Sequence, residues 1–493
     1  MTVASLRSAP ALAAALLLVP AADGPPPAEP AARPSAGAPA RAVAAAGPPP
    51  TRPPPAGPAA AKGSGGVLRV GPGGEHASIS AALEAAGPGD TVRVGPGTYR
   101  ERLVVERPVT LLGRGRPVID AGGRGHAVEA TAPLEIRGFH LRNTGKVVEE
   151  EHAGVMARGA RAVVADNVMT DVFYGVYLKE APGSLIRGNR IEGKDLPPPR
   201  RGDGIRLWYS SDTRVLENRV RHTRDVVVYF SNRLEVRGNV ITDGRYGLHY
   251  MYSDHNEFRE NVFEKNQVGA FVMYSEDVRL RDNVFAESRG ASGMGLGLKD
   301  ADGIVARGNL FVRNESGVYL DNSPRGRDAR NRFRDNLFLY NESAVRLLPS
   351  VTGNDFSGNS FVANSRPAAV SGGMGEGQAA QNDWTGNYWS GYQGFDRDDD
   401  GVGDTPYVHA RLSDDLMSRH EELKLFARSP VMPVLEAVRR FFPFLEPEPV
   451  VADSAPRFEA RALARWERRP PVRLRVGARD LAGPASGVGE EAR

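Results

Sequence analysis

The chain has 493 residues, too many for one ordinary compact core; at 41% hydrophobic and 25% charged, with 56 Gly and 38 Pro, its composition excludes a polytopic membrane protein and a coiled coil. The net charge of +3, from 63 basic and 60 acidic side chains spread along the chain, makes nucleic acid a poor candidate partner. With no cysteine, the chain has no disulfides, zinc–thiolate sites, thiol catalysis or N-terminal lipoprotein anchor.

Residues 1–22 read as an export signal: Arg7 supplies positive charge, 11–19 (ALAAALLLV) is a short apolar run, and Pro20, Ala21 and Ala22 offer a cleavage site. The run is too short to span a bilayer stably. Residues 23–65 are mostly Pro, Ala and Gly, which cannot bury enough apolar surface to offset their ordering entropy, and predict an extended, disordered tether. Residues 67–71 (VLRVG) predict a strand, and 78–86 (SISAALEAA) a short amphipathic helix closing one end of the fold. Short strands divided by Gly and Pro follow from 91 to 123.

A repeat then runs through the middle of the chain. An apolar residue or Arg precedes Gly, Asp or Glu, then Asn, any residue, and an apolar residue, with Asn at 167, 189, 218, 239, 261, 283, 309, 336, 359 and 387. The basal spacing near 22 residues accommodates three short strands and three turns. Stacked coils pair each strand with its copies about 4.8 Å above and below, which predicts an all-β fold, a right-handed parallel β-helix over 66–395. Asn suits the turns through its tolerance of the left-handed conformation and its local hydrogen bonds, and equivalent Asn side chains predict an amide ladder.

The register assigns faces. Ten residues before successive Asn positions lie Lys179, Trp208, Tyr229, Met251, Met273 and Lys299. Their neighbours Leu178, Leu207, Val228, Tyr250, Val272 and Leu298 are almost all aliphatic and predict the interior, so the first set points outward. Tyr177, Arg206, Val227, His249, Phe271 and Gly297 flank it. An outward stripe of Trp208, Tyr229, His249, Met251, Phe271 and Met273 marks an interaction face, unless a loop covers it or the register slips by one. It suits stacking on sugars, partner docking, or a soft metal, because thioethers select Cu(I) over harder ions.

Towards the C-terminus, Asp396, Asp398, Asp400 and Asp404, with Gly401 for a tight turn, form a candidate Ca2+ loop in which Tyr407 replaces the glutamate of a complete EF-hand. Residues 412–427 and 433–444 predict two helices, either a cap on the rod or a docking prong for a membrane partner through Val434, Leu435, Phe441 and Phe442. Residues 451–493 are Arg-rich without periodicity and predict a mobile tail. The carboxylates Asp203, Asp225, Asp254 and Glu276 fall in predicted turns, with no pair recurring one coil apart on the stripe, which weighs against polysaccharide cleavage, and no phosphate-binding loop is present.

The segments GLHYMYS (247–253), GAFVMYS (269–275), GLGLKD (295–300), GVYLDNSP (317–324), GNYWSGYQGFDRDDDGVGDTPY (386–407) and SPVMPVLE (429–436) resemble the NosD family of nitrous oxide reductase maturation proteins over about 67–450. The resemblance implies a β-helical, non-hydrolytic periplasmic protein seated on an ABC transporter made of a membrane subunit and an ATPase. It further implies a role in copper and sulfur delivery to nitrous oxide reductase alongside a small copper lipoprotein chaperone. It fixes no copper ligands; the register nominates Met251, Met273 and His249, with Met294 nearby, for transient Cu(I). A polysaccharide-binding or polysaccharide-cleaving β-helix is the alternative.

Overall fold

The computed structural model describes residues 65–371, 382–427, 429–439, 441–442, 447 and 449–468, so the signal, nearly all of the tether and 469–493 lie outside the described residues. Short strands alternate with tight turns from Val67 to Trp389 and stack in parallel into three sheets, here the first, second and third; two later strands, Tyr407–His409 and Val451–Asp453, bring the first to sixteen with one antiparallel pairing, and the second and third have thirteen and twelve. Each coil gives one strand to each sheet: Arg279–Arg281, Val284–Ala286 and Met294–Lys299 form one such set. The expected right-handed parallel β-helix is therefore the fold.

The ladder of asparagines forms at the corner between the first and second sheets. Asn239 illustrates its geometry: its backbone N–H and Nδ2 donate to Oδ1 of Asn261 at 3.0 and 2.9 Å, and Nδ2 also donates to Val215 O at 2.8 Å. The left-handed turn residue is not the Asn, as the sequence suggests, but the one before it. Asp166, Glu217, Glu260, Asp282 and Asp335 have φ between 53° and 57°, and Gly occupies the other coils. The amide is spent on bonding between coils, where a buried polar side chain needs all its partners. Inside the rod, Phe263, Phe285, Phe311, Phe338, Phe361, Trp389 and Tyr407 form a continuous aromatic stack with centroids 4.2 to 5.2 Å apart.

The predicted N-terminal cap is helix α1, Ile79–Ala85, with Ser78 as its N-cap and Glu101 accepting the Ile79 and Ser80 backbone N–H groups. The C-terminal expectation needs correction. The predicted mobile tail is structured as far as 468: Val451–Asp453 joins the first sheet, and a helix spans Arg461–Arg468. Asp453 is fully buried and takes the place of the next Asn, accepting from Gly386 N, Asn387 N, Asn387 Nδ2 and Trp389 Nε1 at 2.9 to 3.1 Å. The Arg461–Arg468 helix lays Ala462, Leu463 and Trp466 on apolar side chains of the second sheet's outer face, among them Val284, Leu310 and Leu337. A three-residue strand and a two-turn helix are too short to carry visible periodicity.

Between these segments, helix α2 (Leu412–Arg419) is followed by a 3-10 turn, Glu421–Phe426, and helix α3 (Val431–Arg439), so the first predicted helix is split. Buried His409 and Asp414 bond at 2.9 Å and seat the start of α2, and Glu436 accepts from Ser413 N and Oγ, pinning α3 to α2. The Arg461–Arg468 helix is α4.

Candidate functional site

The outer face of the third sheet carries the predicted stripe in the predicted register. Lys179, Trp208, Tyr229, Met251, Met273 and Lys299 are paired strand to strand, and the intervening Leu178, Leu207, Val228, Tyr250, Val272 and Leu298 are buried. Outward direction does not mean full exposure. Trp208, Tyr229, His249, Met251 and Phe271 are half-buried, and Met273 is only 8% exposed. At the N-terminal end, Leu196 packs with Tyr174, Tyr177 and Trp208, so a loop covers part of the face there. That loop belongs to the 29-residue interval between Asn189 and Asn218.

Beneath the stripe lies a polar network that the sequence reading missed. Asp203 and Asp225 come from adjacent coils and are both fully buried. Arg206 Nη1 donates to Asp203 at 2.9 Å, Arg224 spans from Asp203 (3.0 Å) to Asp225 (3.5 Å), and Arg245 Nε donates to Asp225 at 3.1 Å. The Tyr246 backbone N–H also donates to Asp225, at 3.1 Å. His249 Nδ1 lies 3.5 Å from Asp225, the Tyr229 hydroxyl sits 3.1 Å from both His249 ring nitrogens, and the Tyr246 ring stacks on the imidazole at 4.7 Å. Burial alone would raise Asp225, but hydrogen bonds from His249 and Arg245 and the charges of Arg245 and Arg224 hold its carboxyl down at about 2. Burial pushes Asp203 upward, with the Asp225 charge adding to it against the opposing arginines. The absent carboxylate pair is thus present, but each member is locked to arginines rather than free for proton transfer.

A second missed feature is the surface ladder of Tyr209, Phe230, Tyr252 and Tyr274, the first and third exposed and the others half-buried, whose rings stack with centroids 4.7, 5.3 and 5.1 Å apart. All four adopt left-handed backbone, with φ of 48° to 52°. This is uncommon for bulky side chains and is sustained only where the surroundings impose it. Here the next residues do so: Ser210 N donates to Ser231 Oγ, Ser231 N to Ser253 Oγ and Ser253 N to Ser275 Oγ at 2.9 to 3.0 Å. The signal is present in the sequence as WYS, YFS, MYS and MYS, one residue after each member of the stripe.

Of the nominated soft donors, Met251 and Met273 come together, their Cα atoms facing each other across neighbouring strands about 4.8 Å apart. The donor set suits Cu(I), with two thioethers in a partly dehydrated, apolar setting beside Tyr252 and Tyr274. His249 lies two residues from Met251 and is engaged with Asp225 and Tyr229. Met294 does not join the methionine pair. It registers with Val268, about 16 Å along the strand from Met273, and its Sδ lies over Gly297 beside the Phe271 ring, where a Cβ would clash.

In the acidic loop, single carboxylate oxygens of Asp396, Asp398 and Asp400 lie within 4.8 Å of one another. Asp404 is not part of that group and accepts from Arg397 N at 2.8 Å, and Gly401 has φ of +79°. Tyr407 is no ligand substitute, since its ring stacks on Trp389. Around α3, Val434, Phe441 (79% exposed) and Phe442 are exposed as expected, joined by Leu425 at 87%, whereas Leu435 is half-buried. Among the described residues no helix is long and apolar enough to cross a membrane.

A family model described as "Periplasmic copper-binding protein (NosD)" matches residues 187–394. The chain is 30% identical over 408 residues to the "Probable ABC transporter binding protein NosD" of Pseudomonas aeruginosa, covering 73% of this chain and 86% of that protein. The identically named protein of Stutzerimonas stutzeri is 30% identical over 411 residues, covering 73% and 84%. Among solved structures, the mannuronan C-5 epimerase AlgE6 A-module of Azotobacter vinelandii aligns with TM-score 0.48 and 18% identity over 60% of this chain and 93% of that one.

Proposed function

Because the chain belongs to the NosD family, we propose that it is a periplasmic accessory scaffold that carries Cu(I) as cargo on the outer face of its third sheet during nitrous oxide reductase maturation. The observation that carries the reading is the in-register pair Met251 and Met273 beside the surface aromatic ladder. A soft cation needs polarisable donors that bind without holding it permanently, and two thioethers meet that need. The flat rings of Tyr209, Phe230, Tyr252 and Tyr274 supply a rigid apolar surface on which a copper chaperone lipoprotein or the reductase itself docks while the ion passes. His249, steered by Asp225 and Tyr229, lies close enough to serve as a third donor once its ring turns from them.

In the same reading the helical pair is the link to an ABC transporter's membrane subunit, through Val434, Phe441 and Phe442, with Leu435 partly supporting α3 from within. Energy for movement comes from the transporter's ATPase, since this chain carries no phosphate-binding loop. Ca2+ held by Asp396, Asp398 and Asp400 would brace the turn, which already meets the C-terminal segment through Gly403 N to Pro456 O at 2.7 Å.

The experiment replaces both methionines with leucine. Met251→Leu with Met273→Leu preserves volume and apolarity, so the fold should lose under about 1.5 kcal/mol. Reductase matured with the variant should be copper-deficient, read as copper per reductase by elemental analysis. Full copper loading with the double variant removes the pair from the route. The polysaccharide-cleaving alternative gains one observation, the Asp203 and Asp225 pair, but their arginine partners keep both carboxylates occupied.

A further inference from the structure

On the first sheet, far from any role assigned above, the register lines up five arginines. Arg237, Arg259, Arg281, Arg307 and Arg334 are paired partner to partner across five consecutive strands, each two residues before its ladder Asn. Neighbouring guanidiniums therefore project from the same face about 4.8 Å apart, an arrangement of like charges that weakens a sheet. Each touches a flanking carboxylate: Arg237 to Glu235 at 3.6 Å, Arg259 to Glu260 at 3.2 Å, Arg281 to Glu257 at 3.9 Å, Arg307 to Asp335 at 3.0 Å and Arg334 to Asp355 at 3.1 Å. Two of these contacts are loose, and the arginine side chains remain 42% to 63% exposed. A guanidinium has five N–H donors, so contacts of this kind leave fork edges facing solvent.

The column runs into a built groove. Helix α4 crosses beside it and, with Arg281 and Arg307, encloses about 530 Å3 to which Arg461, Arg465 and Arg468 add three guanidiniums, against the carboxylates of Asp282 and Asp335. Arg465 reaches over Gly308 to hydrogen-bond Asp282, which ties the helix to the ladder.

We propose that this column and groove bind a linear polyanion, a uronic-acid polysaccharide, along the axis of the rod. The shape of the charge selects the class. An anionic bilayer presents a plane, whereas these guanidiniums stand in single file with carboxylates interspersed on either side, Glu257 and Asp355 on one and Glu260 and Asp335 on the other. A single strand of nucleic acid is held by aromatic stacking as well as charge, and among the described residues no aromatic side chain lines the groove. A uronan needs only a single file of forks. It carries one carboxylate per sugar ring along a linear chain, and arginine engages carboxylates in bidentate fashion.

The test uses the full chain and polygalacturonate as probe, with a neutral glucan, phosphatidylglycerol vesicles and oligothymidylate as comparisons, by titration calorimetry at several salt concentrations. Polygalacturonate should bind, and the neutral glucan should not. The triple variant Arg259→Gln, Arg281→Gln, Arg307→Gln should lose at least tenfold in affinity. Its log–log salt slope should become shallower by about three, one per ionic contact removed. The charge-matched variant Arg214→Gln, Arg279→Gln, Arg332→Gln alters scattered positions of the neighbouring column and should keep most of the affinity. Equal losses in the two triple variants would reduce the effect to net charge and overturn the proposal. So would no binding to polygalacturonate, or tighter binding to vesicles or oligothymidylate. Removing like-charge neighbours should not unfold the chain; should the triple variant melt early, Arg281→Gln alone must still weaken binding by several-fold.

Discussion

The outer faces of the first and third sheets are built by the same coils and differ in kind. On the first sheet one column repeats a single side chain for five strands. On the third sheet the column through His249 changes at every step, from Tyr177 to Arg206, Val227, His249, Phe271 and Gly297. The interior behaves like the first face, with one Asn or one aromatic per coil. Repetition is what stacking rewards, because identical groups meet identical partners. A column that breaks repetition while its strands stay in register has been specified position by position, as a localised site requires. The two faces thus divide between a surface that reads length and charge and a surface that reads one spot.

The largest expected effect lies where repetition ends. Asp453→Ala leaves four buried N–H donors, one each on Gly386 and Trp389 and two on Asn387, without their acceptor. The cost should be about 4 kcal/mol in chemical denaturation, with Asp453→Asn losing less, because its Oδ1 keeps the ladder bonds from Asn387 while its NH2 faces the Gly386 N–H. A loss below about 1 kcal/mol would mean that the C-terminal strand is not part of the stack.

A smaller effect, with a pH signature, belongs to the irregular face. Asp225 is held at about 2 against the usual 3.8, so its folded carboxylate is stabilised relative to the unfolded chain. That contribution, about 2 kcal/mol, is fully present above pH about 4 and disappears as pH falls through about 2. Asp203 acts in the opposite sense, since its raised carboxyl disfavours the ionised form that neutral pH demands. In metal-free protein, Asp225→Asn should therefore be destabilised by about 2 kcal/mol at pH 7, and the gap to the parent should close between pH 4 and pH 2. A gap independent of pH would show that Asp225 acts through packing rather than charge.

These cases also show what the amino-acid order discloses. The coil period, the amide ladder and the pairing of Met251 with Met273 were legible because each depends on a constant offset from Asn, and the N-terminal cap because its helix is amphipathic. The Asp203, Asp225 and Arg245 network was not, because the offset fails there: an insertion lengthens the interval before Asn218, and a bulge between Asp225 and Val227 places Tyr246 opposite Asp225. The left-handed position was assigned to Asn because Asn tolerates it, whereas buried amides are worth more as bridges between coils. Asp453 was hidden because it lies 66 residues beyond its partner Asn387, across two helices that break the period.

The smallest expected change in stability tests whether the aromatic ladder is a spine or a docking face. Tyr252 stacks on Phe230 and Tyr274 yet is 47% exposed and has φ of +51°. Tyr252→Gly removes two stacking contacts, worth about 1 kcal/mol each when well packed. It also adds flexibility to the unfolded chain, at about 0.5–1 kcal/mol. Against these, glycine relieves the left-handed backbone by about 1 kcal/mol. The terms leave a net loss of about 1.5–2 kcal/mol, so the melting temperature should move by only a few degrees, while copper transfer through a docked partner should fall because the flat surface is interrupted. A loss beyond about 3 kcal/mol would make the rings structural, carrying the coil corner as the phenylalanines carry the core. Unchanged stability with unchanged copper transfer would leave the methionine pair, without its aromatic neighbours, as the whole of the site.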